Sequence, residues 1–338
     1  MDGAADSSPE LRTSITDLLQ IRHPVVLAPM GGVAGGALAA AVSAAGGLGM
    51  VGVGYQDRLS FKQQLKAAGG SRVGSGFITW LLAKSPDLLD MALERHPPAI
   101  MLSFGDVGPF AEPIRRSGAH LICQVSSVRA AAEALDHGAD LLVAQGSEGG
   151  GHGTHRRSTV TLLPEICDLV SRRGLAVPVL AAGGIADGRG VAAALMLGAS
   201  GVVVGTRFAA CSEALAPAGV QERIVGAGGD DTIATTVYDR VRGVTWPDGY
   251  TSRVLRSPFT AAWHGRECQL DHELGTVAPK YQSAVRGGDF DTAVVTAGEA
   301  VGLVHSRDSA AQVVLDLVAG ATARLARGST VVREQYAS

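Results

Sequence analysis

Residues 24–55 read PVVLAPMGGVAGGALAAAVSAAGGLGMVGVGY and carry no charged side chain. A bilayer span needs only about 20 apolar residues, so the run is long enough for one. It also holds Pro29 and nine glycines, mostly in pairs, and its apolar content is largely alanine. These residues interrupt a single span. They fit a strand, a glycine turn, an Ala-rich helix, a second glycine turn and a second strand. Val25 to Pro29 is the first buried strand, Gly36 to Ala45 the helix halted by Gly46-Gly47, and Leu48 to Val53 the second strand. No membrane association is expected.

The same unit recurs outward along the chain. Strands are expected at Val73 to Ile78, Ala99 to Phe104, His120 to Val125, Asp140 to Gln145, Pro178 to Ala182 and Gly201 to Gly205. Helical patterns separate them: Ser60 to Ala68, Ser85 to Arg95 with Ser85 as N-cap, Pro109 to Ser117, Ser127 to His137, Leu162 to Arg173 and Asp187 to Leu197. The strands are continuously apolar rather than alternating, so both faces are buried, as in parallel sheets. Eight such units in about 200 residues predict a (β/α)8 TIM barrel rather than a doubly wound sheet. After Thr206 the pattern changes. The expected division is a barrel formed by 15–226 and 286–330, the latter as returning helices, with a small lid or substrate region at 227–285.

Composition narrows the function. The chain has 338 residues, 46% of them apolar and 18% charged, enough for a large core. Lys plus Arg is 29 against 32 acidic residues, a net charge of -3, which argues against nucleic-acid binding. Glycine, 45 residues, is roughly twice its usual ~7% and clusters in apolar stretches, which suggests backbone approaching a ligand. Cys123, Cys167, Cys211 and Cys268 form no CxxC pair. Together with a polar, acidic Met1 to Glu10 that has no signal-peptide core, they lead to a cytoplasmic expectation.

Barrel chemistry sits on the loops after strand C-termini, and four of these loops stand out. Ala28-Pro29-Met30-Gly31-Gly32 could face a planar ring or be an ordinary turn. Gln145 to His155 is a long glycine loop with Glu148, His152 and His155. His152 there could be a general base or a hydrogen-bond donor. Those three residues could be read as metal ligands, but they lack a ligand frame, and no metal is expected. Ala181 to Ile185 and Val204 to Phe208 follow the seventh and eighth strands, where barrels hold phosphate. Arg207 could pair with that phosphate or form a salt bridge on the rim. Gln124, polar at the end of an apolar strand, points to a bound cofactor or is a satisfied core amide. Gly47-Leu48-Gly49-Met50-Val51-Gly52 matches GxGxxG but lies within a strand, so it is no dinucleotide fingerprint.

In this ordered set the sequence resembles the nitronate monooxygenase family. The markers are His23-Pro24 with Ala28-Pro29-Met30, the Gly-Gly-His-Gly of residues 150–153, Ala182-Gly183-Gly184-Ile185, Gly205-Thr206-Arg207-Phe208, and the block from Trp246-Pro247 to Glu267. The resemblance implies a TIM barrel binding FMN that oxidises alkyl nitronates with O2 to a carbonyl compound and nitrite. It places a nitro-binding or basic histidine at His152. It puts the FMN phosphate on Gly183, Gly184, Gly205 and Thr206. The ring would lie over Ala28, Pro29 and Met30, with Gly76, Gln124, Gln145, Gly150 and Gly151 around it. Gly149, where many members have Ala, is a harmless departure. Gly76-Phe77 and Ser257, where Asn is usual, bear on the substrate. The alternative is an FMN-dependent NAD(P)H reductase of an enoyl thioester or quinone, since such enzymes share the Gly-Gly-His loop. A homodimer is left open.

Overall fold

The computed structural model describes residues 11–328; Met1 to Glu10, and 329–330 of the expected barrel, lie outside them. Six strands come first: β1 Val25–Leu27, β2 Met50–Val53, β3 Gly74–Ile78, β4 Ala99–Ser103, β5 His120–Val125 and β6 Leu141–Gln145. β7 Gly151–Gly153, β8 Val179–Ala182, β9 Gly201–Val204, β10 Thr232–Thr235 and β11 Thr251–Leu255 follow. Eight of them pair in parallel in the order β1-β9-β8-β6-β5-β4-β3-β2. The two ends meet. Val26 bridges Leu48, Leu27 N donates to Leu48 O at 2.9 Å, and Leu48 N donates to Val25 O at 2.9 Å. The sheet is a closed TIM barrel.

Continuous apolarity in the strands follows from this closure. Val26, Met50, Met101, Ile122, Val143, Leu180 and Val203 fill the interior. Ile15 and Leu19 of the helix Ser14–Leu19 join them and plug the end where the strands start. Alternate residues such as Val25, Leu27, Val51, Ile100 and Leu142 pack outward on the helices. The helix Ala310–Gly328 lies against Gly188–Met196. That contact is close because Gly188 faces Gly320, and a Cβ on Gly188 would sit 2.3 Å from Gly320 C. Among the described residues, no helix is long and apolar enough to cross a membrane.

The structure departs from expectation in three places. The fifth helix runs Asp87–Leu93 with Pro86 at its cap position, so it begins later than Ser85 would set it. The glycine run after β6 is no plain loop, because Gly151–Gly153 becomes β7. β7 joins β11 and β10 in a separate antiparallel sheet, with Gly153, His152 and Gly151 opposite Thr251, Ser252 and Arg253. The third is the 21-residue helix Glu267–Gly287, which crosses residue 285. It buries Leu270, Val277, Tyr281 and Ala284, successive spacings of seven, four and three that mark one helical face. Leu270, Val277 and Tyr281 pack with Tyr238 and Phe259 to form a second core beside the barrel mouth.

Candidate active site

The strands deliver their C-terminal ends to one cavity of about 300 Å³ at the barrel mouth. Ala28, Pro29, Met30, Gly76, Gln124, Gln145, Gly150, Gly151, His152, Gly183, Gly184, Gly205 and Thr206 all line it. Sequence reasoning picked these from seven separate segments, and barrel closure brings them together.

Backbone geometry shapes the floor. Pro29 lies over β3, where a Cβ on Gly76 would stand 2.3 Å from both Pro29 Cβ and Cγ. Gly76 is therefore required for packing as well as for lining the cavity. Gly183 and Gly184 have φ of +100° and +74°, left-handed backbone that glycine adopts freely. Among the described residues, the amides of Gly183, Gly184, Gly205 and Thr206 donate to no protein acceptor. Such N–H groups, after β8 and β9, are of the kind that can hold an anion.

Arg207 does not contribute to that set. Buried at 8% exposure, it donates to Ser306 O at 3.0 Å and pairs with Asp308 at 2.5 Å. The hydrogen bond from Ser306 and the pair with Arg207 hold the Asp308 carboxyl below its usual range. The rim salt bridge is the arrangement found.

Glu148, His152 and His155 turn to three different partners. The Glu148 carboxylate accepts from Thr159 N and Thr159 Oγ1, each at 3.0 Å, and so ties the glycine run to the start of the helix Thr159–Arg172. The His155 ring nitrogens lie 2.9 Å from Ser147 O and 3.2 Å from Thr251 O. Burial pushes the His155 imidazole below its ordinary value. His152 Nε2 is 2.9 Å from Asp239 Oδ2. Among the described residues, no cluster of His, Cys, Asp and Glu is placed to hold a metal ion.

The two glutamines form a chain. Gln124 Nε2 donates to Gln145 Oε1 at 3.0 Å, and Gln145 Nε2 donates to His152 O at 3.1 Å. Above them stands an aromatic wall. The His152 ring stacks on Trp246 with centroids 3.6 Å apart and planes 9° apart. Trp246 Nε1 donates to Tyr55 Oη at 2.6 Å, and the Trp246 ring meets Trp80 and Phe104 edge-on. Phe104 sits at φ +66°, a left-handed strain for a bulky residue, and also packs edge-on against Tyr250. Asp239, Arg242, Tyr55, Trp80 and Phe104 were not found by sequence reasoning. Asp239 lies 87 residues from His152 and Tyr55 191 from Trp246, too far apart for local pattern to link them. Ser257 caps the helix Pro258–Trp263 by accepting from Thr260 N, and it is not on the cavity wall.

A closed parallel barrel with one glycine-lined mouth cavity, four free amides and a buried histidine–carboxylate pair defines a (β/α)8 barrel enzyme. Comparison with known proteins gives the family. The nitronate monooxygenase family model matches residues 12–96 and 87–320, and the chain belongs to that family. A nitronate monooxygenase of Metarhizium robertsii is 36% identical, over 86% of this chain and 88% of its own length. One of Pseudomonas aeruginosa is 32% identical, over 87% and 95%. Among solved structures, FabK from Thermotoga maritima superposes with a TM-score of 0.81 at 29% identity, covering 95% of this chain and all of its own. Nitroalkane oxidase from Streptomyces ansochromogenes gives 0.72 at 26% identity, covering 95% of this chain and 100% of its own. The protein is an oxidoreductase of nitronate monooxygenase type.

Proposed function

We propose that the enzyme holds FMN in the mouth cavity and oxidises alkyl nitronates with O2 to a carbonyl compound and nitrite. The observation carrying this reading is that one cavity is lined by every residue the family resemblance assigns to the flavin and the nitro group. The free amides of Gly183, Gly184, Gly205 and Thr206 suit a phosphate. Ala28, Pro29, Met30 and Gly76 offer a flat apolar surface for the ring, bordered by Gln124, Gln145, Gly150 and Gly151. Flavin, held there by these residues, would supply the redox chemistry between the nitronate and O2. His152 holds the nitro group or takes a substrate proton, and Trp246, Phe104 and Tyr250 keep water from the reacting carbon. We treat residues 227–285 as the cap over this mouth. The unpaired cysteines Cys123, Cys167, Cys211 and Cys268 suit the reducing cytoplasm. Light scattering of the purified enzyme tests for a homodimer.

The test is an absorbance spectrum of purified protein, followed by anaerobic addition of propionate 3-nitronate and, separately, NADH. A yellow protein bleached by nitronate and not by NADH is the expected result. Bleaching by NADH alone would instead support the reductase of an enoyl thioester or quinone. That reading gains some weight from FabK and from a carboxyl-CoA dehydrogenase of Mycobacterium tuberculosis, 37% identical over 73% of this chain and 67% of its own length. A protein that stays colourless after FMN is supplied would refute the flavin assignment.

A further inference from the structure

We infer that Asp239 is the positioning residue for His152, and that it fixes Nδ1 as the ring nitrogen that accepts a proton from substrate. The inference rests on the proposed role of His152 and adds the group that sets its tautomer. Asp239 Oδ2 lies 2.9 Å from His152 Nε2. Its other oxygen accepts from Arg242 Nη2 at 2.7 Å, and Arg242 Nε donates to Tyr238 O at 2.9 Å. The Asp239 side chain is only 6% exposed and the His152 side chain 13%. A carboxylate can only accept, so Nε2 carries the hydrogen and the lone pair of the neutral ring falls on Nδ1. Nδ1 has no hydrogen-bond partner among the described residues.

The ring cannot turn over at low cost, a move that would put Cε1 in the place of Nε2 against Asp239. Trp246 stacks flat on it at 3.6 Å, and the His152 backbone is held by the β7–β11 ladder and by Gln145. A flip would leave Asp239 and Arg242 as a buried pair with a missing donor. With a neutral nitroalkane, Nδ1 takes the α-proton. The C–H bond breaks, an N–H bond forms, and the C–H electron pair moves onto the nitro group to give a nitronate anion. The positive charge on the ring then lies between that anion and Asp239. This is the role a carboxylate behind a histidine commonly plays.

The test combines a spectroscopic and a kinetic readout. In protein labelled with ¹⁵N-histidine, long-range ¹H–¹⁵N correlation reports the tautomer, and the His152 signals are assigned by their loss in His152→Asn. The expected result is Nε2–H with an unprotonated Nδ1 in the parent, and loss of that preference in Asp239→Asn. An Nδ1–H tautomer in the parent overturns the inference, and this measurement needs no variant at position 239 to fold. In kinetics, Asp239→Asn should lower kcat/KM for a neutral nitroalkane by about 100-fold while flavin absorbance is retained. Adding it to His152→Asn should cost nothing further. Additive losses overturn the inference. If His152→Asn keeps full activity while the parent shows the Nε2–H tautomer, the proposed role of His152 falls and the placement of the proton by Asp239 stands.

Discussion

Gly76→Ala is a sharp test of how the cavity floor is built. The added methyl would stand 2.3 Å from Pro29 Cβ and Cγ and 3.6 Å from Met101 Cβ. Carbon atoms pack at about 3.5–4.0 Å, so more than 1 Å must be recovered. Pro29 cannot rotate away, because its ring fixes φ. Its neighbours are tied down as well, Ala28 N donating to Val204 O and Met30 N to Ala28 O, each at 2.9 Å. The end of β1 or of β3 must therefore move as a unit. Overpacking of this kind costs about 1–3 kcal/mol. At roughly 2–4 °C per kcal/mol, melting should fall by several degrees. The moving segment carries Pro29 and Met30, so FMN affinity should also weaken by about tenfold or more, equivalent to ~1.4 kcal/mol. Calorimetry and a fluorescence titration with FMN read both effects. Gly70→Ala is the control, since its Cβ would meet nothing within 4 Å. If Gly76→Ala melts and binds FMN like the parent, the reasoning about Pro29 is wrong.

Other substitutions separate binding, stability and pH effects. Arg207→Met breaks the pair with Asp308 and should lower stability by about 2 kcal/mol, less than the ~3–5 kcal/mol of a fully buried pair because Asp308 is one-third exposed, with FMN affinity unchanged. A large loss of FMN affinity in a folded Arg207→Met protein would return the arginine to the phosphate. Glu148→Gln weakens the tie to Thr159 and should cost about 1–2 kcal/mol, read by denaturant unfolding. His155 is held below its ordinary pKa by burial, so the unfolded chain takes up protons first as pH falls below about 6.5. Its contribution to stability is present above that pH and is lost on acidification. Melting of His155→Gln should accordingly drop less than that of the parent between about pH 7.5 and pH 5.5, and an equal drop would count against the shift.

The barrel was legible because burial on both faces writes itself directly into sequence. Val25 to Leu27, Ala99 to Leu102 and Leu141 to Ala144 are apolar at every position, and glycines or caps punctuate the helices between them. The mouth residues were legible for a related reason: a parallel barrel gathers every strand's C-terminal end on one side. The small antiparallel sheet was harder to read. β7 is three residues, two of them glycine, and takes its extended form only because β11 pairs with it. Asp239 carries no local mark, since its meaning depends on His152 far earlier in the chain. The helix Glu267–Gly287 did carry a signal, with apolar residues at 270, 274, 277 and 281, but Pro279 and its many charges obscured it. Gly76 illustrates a further limit. A glycine that admits a neighbouring proline and one that admits a ligand look the same in sequence.

The pairing of β7 with β11 has a consequence for how this site can be altered. Successive side chains on a strand point to opposite faces, so a slip of one residue in pairing reverses them all. With Gly151 and Gly153 on either side, His152 is the one side chain on β7, and its partner in the ladder is Ser252. The aim of the histidine is thus set by a segment about 100 residues away rather than by the barrel that supplies it. Exchanging only one of the two segments, 145–155 or 232–255, between relatives would leave the histidine pointed by a gauge cut for another protein. A working chimera has to carry both.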